Sequence, residues 1–287
     1  MRNEIRSAPI VEIPSESVIR IEAARKWVSV DFQEIWDYRE LLYFLIWRDV
    51  KVRYKQTILG FAWAILQPVT TMIIFTVVFG SFLEVPTDGI PRPIFTFVAL
   101  LPWNYFAGAF SRATNGVVAE AGLISKVYFP RLIIPLAGVI SGFVDLAISF
   151  VVLLGMMVYY GIAPHWGVVL LPAFLLLAAA TAFGVALWLS ALNARYRDIG
   201  QLIPFLIQVW MYASPIAYPV SQVPEKYRLI YSLNPMVGVI EGFRWGLLGK
   251  QTDSLSVIAV SSVVVLAILV SGVAFFKRME QSFADLL

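Results

Sequence analysis

Six apolar runs, each about as long as a membrane span, dominate this sequence. They lie near 59–83, 94–118, 132–160, 167–192, 199–220 and 255–276. A helix needs about 20 mostly apolar residues to cross a hydrocarbon core of about 30 Å. Because lipid offers no partner to open backbone groups, each run is expected to be helical. The sequence therefore predicts an all-α integral membrane fold with six transmembrane helices.

Composition and charge favour one membrane domain, which we place at 31–287. Hydrophobic residues make up 59% of the chain and charged residues 14%, against roughly 45–50% and about 25% in soluble domains. The cations lie at the ends of apolar runs and form no basic stripe on a soluble face, so no nucleic acid partner is expected. The chain has no Cys and one His, His165, which argues against disulfides and a metal site.

Lysine and arginine are distributed unequally between the two sides of the six spans. One side collects Arg48, Lys51, Arg53, Lys55, Lys126, Arg131, Arg195, Arg197, Lys277 and Arg278. The other collects Arg92, Lys226, Arg228, Arg244 and Lys250. Cytoplasmic flanks carry the excess of positive charge in membrane proteins. The richer side is therefore predicted to be cytoplasmic, and with six spans both termini lie on that side.

The region before the first apolar run divides into two parts. Residues 1–30 carry prolines and scattered charge, which is typical of a loosely docked cytoplasmic extension. Over 31–57, apolar residues such as Ile35, Trp36 and Leu42 recur at steps of three or four. This spacing predicts an amphipathic helix lying in the membrane interface. An ordinary cytoplasmic amphipathic helix is the alternative.

A second irregular region, 221–250, separates the fifth and sixth runs. Ser221 ahead of a proline, and Asn234 ahead of Pro235, indicate two helix starts, and Gly249 indicates a stop. The second helix, about 21 Å long, is too short to span the membrane and too apolar to lie free in water. We predict a re-entrant or surface-lying hairpin on the outer side. An external loop packed on the other helices is the alternative.

No catalytic constellation is recognisable, and we expect no enzyme activity of this chain. It has no paired loop carboxylates for metal-dependent glycosyl transfer and no nucleophile beside a base. The nearest approach to a phosphate-binding loop is RWGLLGKQT, where Arg244 and Gln251 occupy positions that require Gly and Ser or Thr. ATP-driven work would therefore have to come from another chain.

Two ionisable side chains lie inside apolar runs, Arg112 in the second and Asp145 in the third. Counting residues places Arg112 about 9 Å from the cytoplasmic end of its run and Asp145 about 20 Å into the next. The difference of about 11 Å argues against a direct ion pair without kinks or offsets. No ladder of acids marks a proton- or sodium-coupled carrier, which weakens that class of function.

Aromatic side chains cluster in LLPWNYFAGAF (100–110) and QVWMYASPIAYP (208–219). Aromatic faces with a polar tip suit sugar rings, so the clusters predict a lining along which a polymer could slide. Belts of aromatic residues at headgroup depth explain the same pattern without a ligand. The candidate substrate-binding residues here are Trp103, Tyr105, Phe106, Phe110, Trp210, Tyr212 and Tyr218.

Six ordered segments carry a family resemblance. They read WRDVKVRYKQTILGFAWAILQP, LPWNYF, LISKVYFPRLIIPL, NARYRDIG, SPIAYP and LNPM. Over roughly residues 31–280 they resemble the permease subunits of type-2 ABC exporters, in the branch that exports O-antigen, capsule and teichoic acid. The resemblance implies a homodimer in the bacterial inner membrane, contacting membrane lipids. It also implies a separate cytoplasmic ATPase subunit that binds ATP and Mg, and no cofactor in this chain.

The resemblance also implies a substrate and roles for individual residues. The substrate would be a polysaccharide, O-antigen foremost, on a polyprenyl pyrophosphate lipid. The loop around LISKVYFPR resembles the coupling helix that docks on the ATPase; positive-inside anchoring is the alternative explanation of its cations. NARYRD resembles the second cytoplasmic turn, and 221–250 the outer gate helices. The coupling candidates are Ser125, Lys126, Tyr128, Phe129, Pro130, Arg131, Arg195, Arg197 and Asp198. The gate candidates are Tyr227, Tyr231, Asn234 and Pro235.

A cationic collar, consisting of Arg48, Lys51, Arg53 and Lys55, lies directly before the first run. A lipid-linked pyrophosphate would arrive beside it at the cytoplasmic leaflet. Cations near an anionic surface gain about 1 kcal/mol each, and Arg meets phosphate through a fork of donors. We predict that the collar fixes orientation and receives the pyrophosphate. Positive-inside anchoring alone is the alternative.

Three functions are compatible with these observations. The first is the channel subunit of an ATP-driven polysaccharide exporter. The second is a type-2 ABC permease for a small hydrophobic compound or drug, which needs only a lateral pocket. The third is a stand-alone carrier or membrane transferase, which would work without an ATPase partner.

Overall fold

The computed structural model describes residues 32–55, 60–249, 255–280 and 283. The predicted extension 1–30 and the ends of the predicted interface helix lie outside these ranges. Every regular element in the described part of the chain is helical, so the all-α prediction is confirmed.

The helices are numbered α1 to α12 in chain order. They are α1 (Phe32–Asp37), α2 (Arg39–Lys55), α3 (Gly60–Thr76), α4 (Arg92–Ala119), α5 (Ala121–Ile124), α6 (Ile133–Ile140), α7 (Gly142–Tyr160), α8 (Leu171–Arg195), α9 (Asp198–Tyr212), α10 (Glu225–Tyr231), α11 (Pro235–Leu248) and α12 (Leu255–Glu280). A π-helical segment, Val77–Phe82, prolongs α3. Short 3-10 turns, Trp166–Leu170 and Val220–Gln222, precede α8 and α10.

Five stretches of the described chain are helical, long and apolar enough to cross a membrane. They are Ala62–Phe82, Arg92–Ala119, Ile133–Tyr160, Trp166–Arg195 and Ser256–Glu280. They correspond to the first four and the last of the six predicted runs. The third stretch is interrupted at Ser141, between α6 and α7.

The fifth predicted run, 199–220, is only partly helical. α9 has 15 residues and ends at Tyr212, which is about 22 Å of helix. Pro215 lacks an amide hydrogen and disfavours the helical conformation at Ser214. The chain therefore continues in turns, in which Ile216 N donates to Ser214 O at 2.8 Å. The described helices therefore give five spans by length and hydropathy, and not the predicted six.

α4 lies at the centre of the helix bundle and is the most buried of the five long stretches. It packs against α3, α6, α7, α8 and α11, because its sequence is apolar on all sides and not along one stripe. Small residues let neighbouring backbones approach closely. At Gly138 on α6, a Cβ would lie 2.8 Å from the backbone nitrogen of Ala113 on α4.

The predicted helix 31–57 consists of two helices, α1 and α2, separated at Tyr38. α2 packs across α6 and α3, with Leu45 buried in that contact. Trp36, Tyr43 and Trp47 are exposed. α2 thus buries Leu45 against the bundle and leaves these aromatic rings exposed, and its place in the membrane interface stays a prediction.

The helix signals in 221–250 are largely confirmed. Asn234 caps α11 by accepting a bond from Met236 N at 3.0 Å, Pro235 is the first helical residue, and Gly249 ends the helix with a φ of 68°. α10, however, begins after Pro224, and Ser221 lies in the preceding 3-10 turn. α11 is buried against α4, α8 and α12, which agrees with the alternative of packing on the other helices.

Candidate functional site

An ionic cluster joins the end of α2 to α4 and α7. The Asp145 carboxylate, in the first turn of α7, accepts hydrogen bonds from the Arg53 guanidinium and the Tyr54 hydroxyl. On α4, Arg112 Nη1 lies 3.5 Å from Asp145 Oδ2. Arg112 Nε also donates to Gly138 O at 3.1 Å. Two cations and one anion thus share a partly buried position between three helices.

Arg112 and Asp145 form a direct contact, which residue counting argued against unless a kink or offset was present; the helix that carries Asp145 is interrupted at Ser141. Side chains lean toward the N-terminus of their helix. α4 and α7 run in opposite directions, so Arg112 and Asp145 lean toward each other and their side chains span the offset. Gly142 provides the space, since a Cβ there would overlap Arg112 Nη2.

A cavity of about 650 Å³ opens beside this cluster, among α2, α3, α4 and α7. Arg53, Tyr54, Arg112 and Asp145 form its charged end. Its apolar walls include Gly60, Trp63, Pro68, Leu101, Gly108 and Leu146. Asn104 also lines it, and the buried Asn104 Nδ2 has no hydrogen-bond partner among the described residues. The volume lies within the range of about 300–1,000 Å³ typical of small-molecule sites.

The four collar residues divide into two pairs. Arg48 donates twice to Glu120, just after α4, once from Nη1 to Oε2 at 3.1 Å; this bonding raises the pKa of Arg48. Arg53 is held by Asp145. Lys51 Nζ lies 4.0 Å from the centroid of a Trp ring on the same helix, and Lys55 is exposed. The arginines therefore fasten α2 to the bundle, while the lysines lie at the surface.

Three of the aromatic candidates on α4 are core residues. Trp103, Phe106 and Phe110 are each at most 1% exposed. The Phe106 ring stacks on Phe110 with centroids 5.8 Å apart and contacts Trp210 edge-on at 4.9 Å. In this single chain these three rings pack in the core and do not line the cavity of about 650 Å³. Tyr105 does line the cavity, with its hydroxyl 3.4 Å from Val139 O.

The second aromatic cluster meets the gate candidates through Asn234. Trp210 Nε1 donates to Asn234 Oδ1 at 2.8 Å, and Asn234 Nδ2 donates to Ala213 O at 3.0 Å and to Ser214 Oγ at 3.1 Å. The structure therefore brings two separately predicted groups together. Asn234 both caps α11 and holds the end of α9.

The remaining residues of these groups are a tyrosine pair and two exposed rings. The hydroxyls of Tyr218 and Tyr231 lie 2.9 Å apart and share a hydrogen bond. Tyr212 and Tyr227 are 58% and 51% exposed. Pro235, the last gate candidate, is buried at the start of α11.

A buried ion pair on α11 was missed by sequence reasoning. Arg244 Nη1 lies 2.9 Å from Glu241 Oε1, and the guanidinium also donates to Ile216 O at 2.9 Å and Tyr218 O at 3.2 Å. It lies 3.8 Å from the centroid of the Phe95 ring. Arg244 was counted as an outer-side cation, although two opposite charges three residues apart in an otherwise apolar helix were an available signal.

The coupling candidates occupy two exposed turns. After α5 the chain is not helical until Ile133, so a coupling helix extends no further than Ile124. Ser125, Lys126 and Tyr128 are exposed, and Phe129 and Pro130 are buried beneath them.

Contacts to other segments hold the first of these turns in place. The Tyr128 hydroxyl donates to Glu34 Oε1 at 3.3 Å, and Glu280 accepts a bond from Arg131 N at 3.1 Å. The negative charge of Glu34, partial burial and this hydrogen bond together raise the pKa of Tyr128. The second turn presents Arg195, Arg197 and Asp198, all exposed.

The described residues contain no group of His, Cys, Asp and Glu that could hold a metal ion. His165 instead caps the turn before α8, its Nδ1 accepting from Gly167 N at 3.3 Å. Its ring packs against Trp166 and Trp245. The larger cavity itself is lined by charged groups beside apolar side chains.

Comparison with known proteins agrees with a permease. The chain is 28% identical to the O-antigen export system permease protein RfbA of Myxococcus xanthus, over 88% of this chain and 97% of that protein. A namesake from Klebsiella pneumoniae is 28% identical, over 86% and 95%. The polysialic acid transport protein KpsM of Escherichia coli is 23% identical, over 83% and 93%. The family model for ABC-2 type transporters matches residues 40–248. This chain therefore belongs to the ABC-2 type transporter family.

Proposed function

We propose that this protein is the channel-forming permease subunit of an ATP-driven exporter of a polyprenyl-pyrophosphate-linked polysaccharide, with O-antigen as the foremost substrate. The observation that carries the proposal is similarity over 97% of the length of a protein named for O-antigen export. One relative is named for O-antigen export and another for polysialic acid transport, and both of these are polysaccharides. Polysaccharide is therefore the common substrate class.

The cavity beneath α2 supports this substrate class. Its charged end, with Arg53 and Arg112, suits a diphosphate, since guanidinium groups bind phosphate through paired donors. Its apolar walls suit the first part of a lipid chain, and Tyr105 and Asn104 offer polar groups to a sugar. In this arrangement Lys51 and Lys55 attract the anion at the surface, and Arg53 and Arg112 bind it in the cavity.

The subunit arrangement follows the family. A separate ATPase would bind ATP and Mg and dock on the exposed turns around Lys126 and Arg197, so this chain carries no catalytic site. A second copy of the chain would cover apolar side chains that one copy leaves exposed, such as Trp63 and Ile74 on α3 and Phe205 and Val209 on α9. A homodimer in the inner membrane would cover these apolar side chains and leave the turns around Lys126 and Arg197 for the ATPase.

The proposed topology keeps six crossings. α9 together with the turns that reach Val220 forms the fifth, and α10 and α11 return as a hairpin at the outer side. An even number of crossings places both termini on one side, and the Lys and Arg bias makes that side the cytoplasm. Side-specific labelling of single cysteines tests this directly, because the wild-type chain has no Cys.

The test of the function is ATPase activity of the purified protein, alone and with the ATPase that copurifies, with and without a polyprenyl-pyrophosphate glycan. Activity only in the complex, and changed by the glycan, is the expected result. If no ATPase associates with the protein, the proposed exporter is wrong. Loss of surface polysaccharide from cells lacking the protein, restored by a plasmid copy, is the expected cellular result.

A second candidate is export of a small hydrophobic compound. The lateral cavity of about 650 Å³ favours it, since such a compound needs a pocket and not a continuous lumen. A complex whose ATPase activity responds to hydrophobic compounds and is indifferent to the glycan would select this function.

A further inference from the structure

Two cavities meet at the ionic cluster beneath α2. The larger, of about 650 Å³, contains Asp145 in its wall. The smaller, of about 500 Å³, lies among α2, α4 and α6 and contains Arg48 and Glu120. Arg53 and Arg112 line both cavities. These two arginines, together with Val52, therefore lie where the cavities adjoin and are called the partition, and Asp145 lines the larger cavity.

One carboxylate bridges the two arginines of the partition. Arg53 and Arg112 supply two positive charges, and the Asp145 carboxylate contacts both through the same oxygen, Oδ2. Phosphate oxygens bind guanidinium groups in the geometry that a carboxylate uses. Asp145 thus occupies the position that an anion entering from the smaller cavity would take.

We propose that Asp145 is a resident counter-ion, which a phosphate-type anion displaces from Arg53 and Arg112 to enter the larger cavity. Identification of that anion as the diphosphate of a lipid-linked polysaccharide rests on the proposed function. Displacement also releases the Tyr54 hydroxyl from Asp145. The bonds from Arg53 and Tyr54 to α7 are then exchanged for bonds to the ligand, and the partition opens.

A second observation points to a ligand in the larger cavity. Asn104 lines this cavity, and its side-chain nitrogen is buried without a partner among the described residues. A buried donor without an acceptor is costly, so such groups are normally satisfied. A hydroxyl or phosphate oxygen of the occupant would satisfy it.

The test measures binding of geranylgeranyl diphosphate to the purified full-length protein in detergent by microscale thermophoresis. Geranylgeraniol supplies the same chain without charge, and inorganic pyrophosphate supplies the charge without the chain. Tight binding of the lipid diphosphate alone assigns the site to a lipid headgroup. Equal binding of pyrophosphate assigns it to the free anion. Equal binding of geranylgeraniol overturns the proposal.

Asp145→Asn provides the decisive variant, because it removes the competing charge and keeps the side-chain shape. We expect the dissociation constant for the diphosphate to fall at least about fivefold, since one charge-assisted contact no longer competes. Unchanged or weaker binding by a folded Asp145→Asn protein, judged by size-exclusion chromatography and its melting temperature, overturns the proposal.

Arg112→Gln should weaken diphosphate binding at least about tenfold, through loss of a charge-assisted hydrogen bond. If this variant does not fold, Arg112→Lys decides, because it keeps the charge, loses the fork and should weaken binding by a smaller factor. Lys226→Gln, an equal charge change in α10, is the control and should bind as the wild type does. Unchanged binding by the Arg112 variants contradicts the proposal.

The binding assay and the export assay fail independently. If Asp145→Asn tightens diphosphate binding while cells lacking the protein keep their surface polysaccharide, the counter-ion role stands and the proposed substrate is wrong. If export requires the protein but Asp145→Asn leaves binding unchanged, the counter-ion role is wrong and the exporter stands.

Discussion

The Trp210 indole donates a hydrogen bond to Asn234 Oδ1 at 2.8 Å and so fastens the end of α9 to the start of α11. The same oxygen accepts from Met236 N, so one amide group caps a helix and holds a neighbouring one. The amide nitrogen of Asn234 bonds the turn at Ala213 and Ser214. α11 and the turns after α9 are therefore expected to move as one body.

Asn234→Ala should lower the free energy of unfolding by about 1–3 kcal/mol, because a cap and the partner of Trp210 are lost together. Trp210→Phe, which removes only the indole donor, should cost less. Melting temperatures in detergent measure both. Equal losses for the two variants would contradict the assignment of the cap to Asn234.

Arg244→Met should destabilise the protein by about 3–5 kcal/mol, since it leaves Glu241 buried without its partner. Glu241→Gln combined with Arg244→Met should cost less than the single change, because no charge is then left unpaired in α11. Chemical denaturation of the wild type, the two single variants and the double variant measures this double-mutant cycle. Additive losses would show that the pair is not coupled.

Gly138→Ala should destabilise the contact of α6 with α4 by about 1–3 kcal/mol, through overpacking. The added Cβ would lie 2.8 Å from the backbone nitrogen of Ala113. Gly155→Ala is the matched control, because it is exposed on α7 with no atom within 4 Å of an added Cβ. The control should be neutral or raise stability by about 0.5–1 kcal/mol. Thermal unfolding distinguishes them, and equal responses would refute close packing at Gly138.

Tyr54 should make stability depend on pH in the alkaline range. Burial, together with the hydrogen bond to Asp145, raises the pKa of Tyr54 from 10.0 to about 12. Because the folded chain holds the proton more tightly than the unfolded chain, this contribution is complete below pH 10 and is lost as pH rises toward 12. The melting-temperature difference between the wild type and Tyr54→Phe should therefore shrink over that interval. A constant difference across it would show that Tyr54 is not so perturbed.

Local signals were sufficient wherever a few neighbouring residues determine the backbone. The cap at Asn234, the proline that follows it and the left-handed Gly249 bound α11 as predicted, because each acts within one helical turn. The same kind of signal was underused at Pro215. The fifth run was predicted to be helical through to 220, whereas the helix ends three residues before Pro215, at Tyr212.

Contacts between distant segments were not predictable by counting residues along each run. The depth estimate for Arg112 and Asp145 ignored the lean and length of their side chains, and it missed a 3.5 Å contact. The four collar cations look equivalent in sequence, yet two bond to carboxylates, one just after α4 and one on α7, and two lie at the surface. Which cation meets which acid depends on the packing of α2 against the bundle.

Membrane character, helical class, most span positions and the bounds of α11 follow from the order of residues, because hydropathy and backbone preference act over short distances. Only the packed structure revealed three features. They are the partition between the two cavities at Arg53 and Arg112, the role of Asn234 and the burial of the α4 aromatics. They depend on which helices enclose α4 and on how far side chains reach between helices. Those relations arise from side-chain packing among segments that are far apart in the chain.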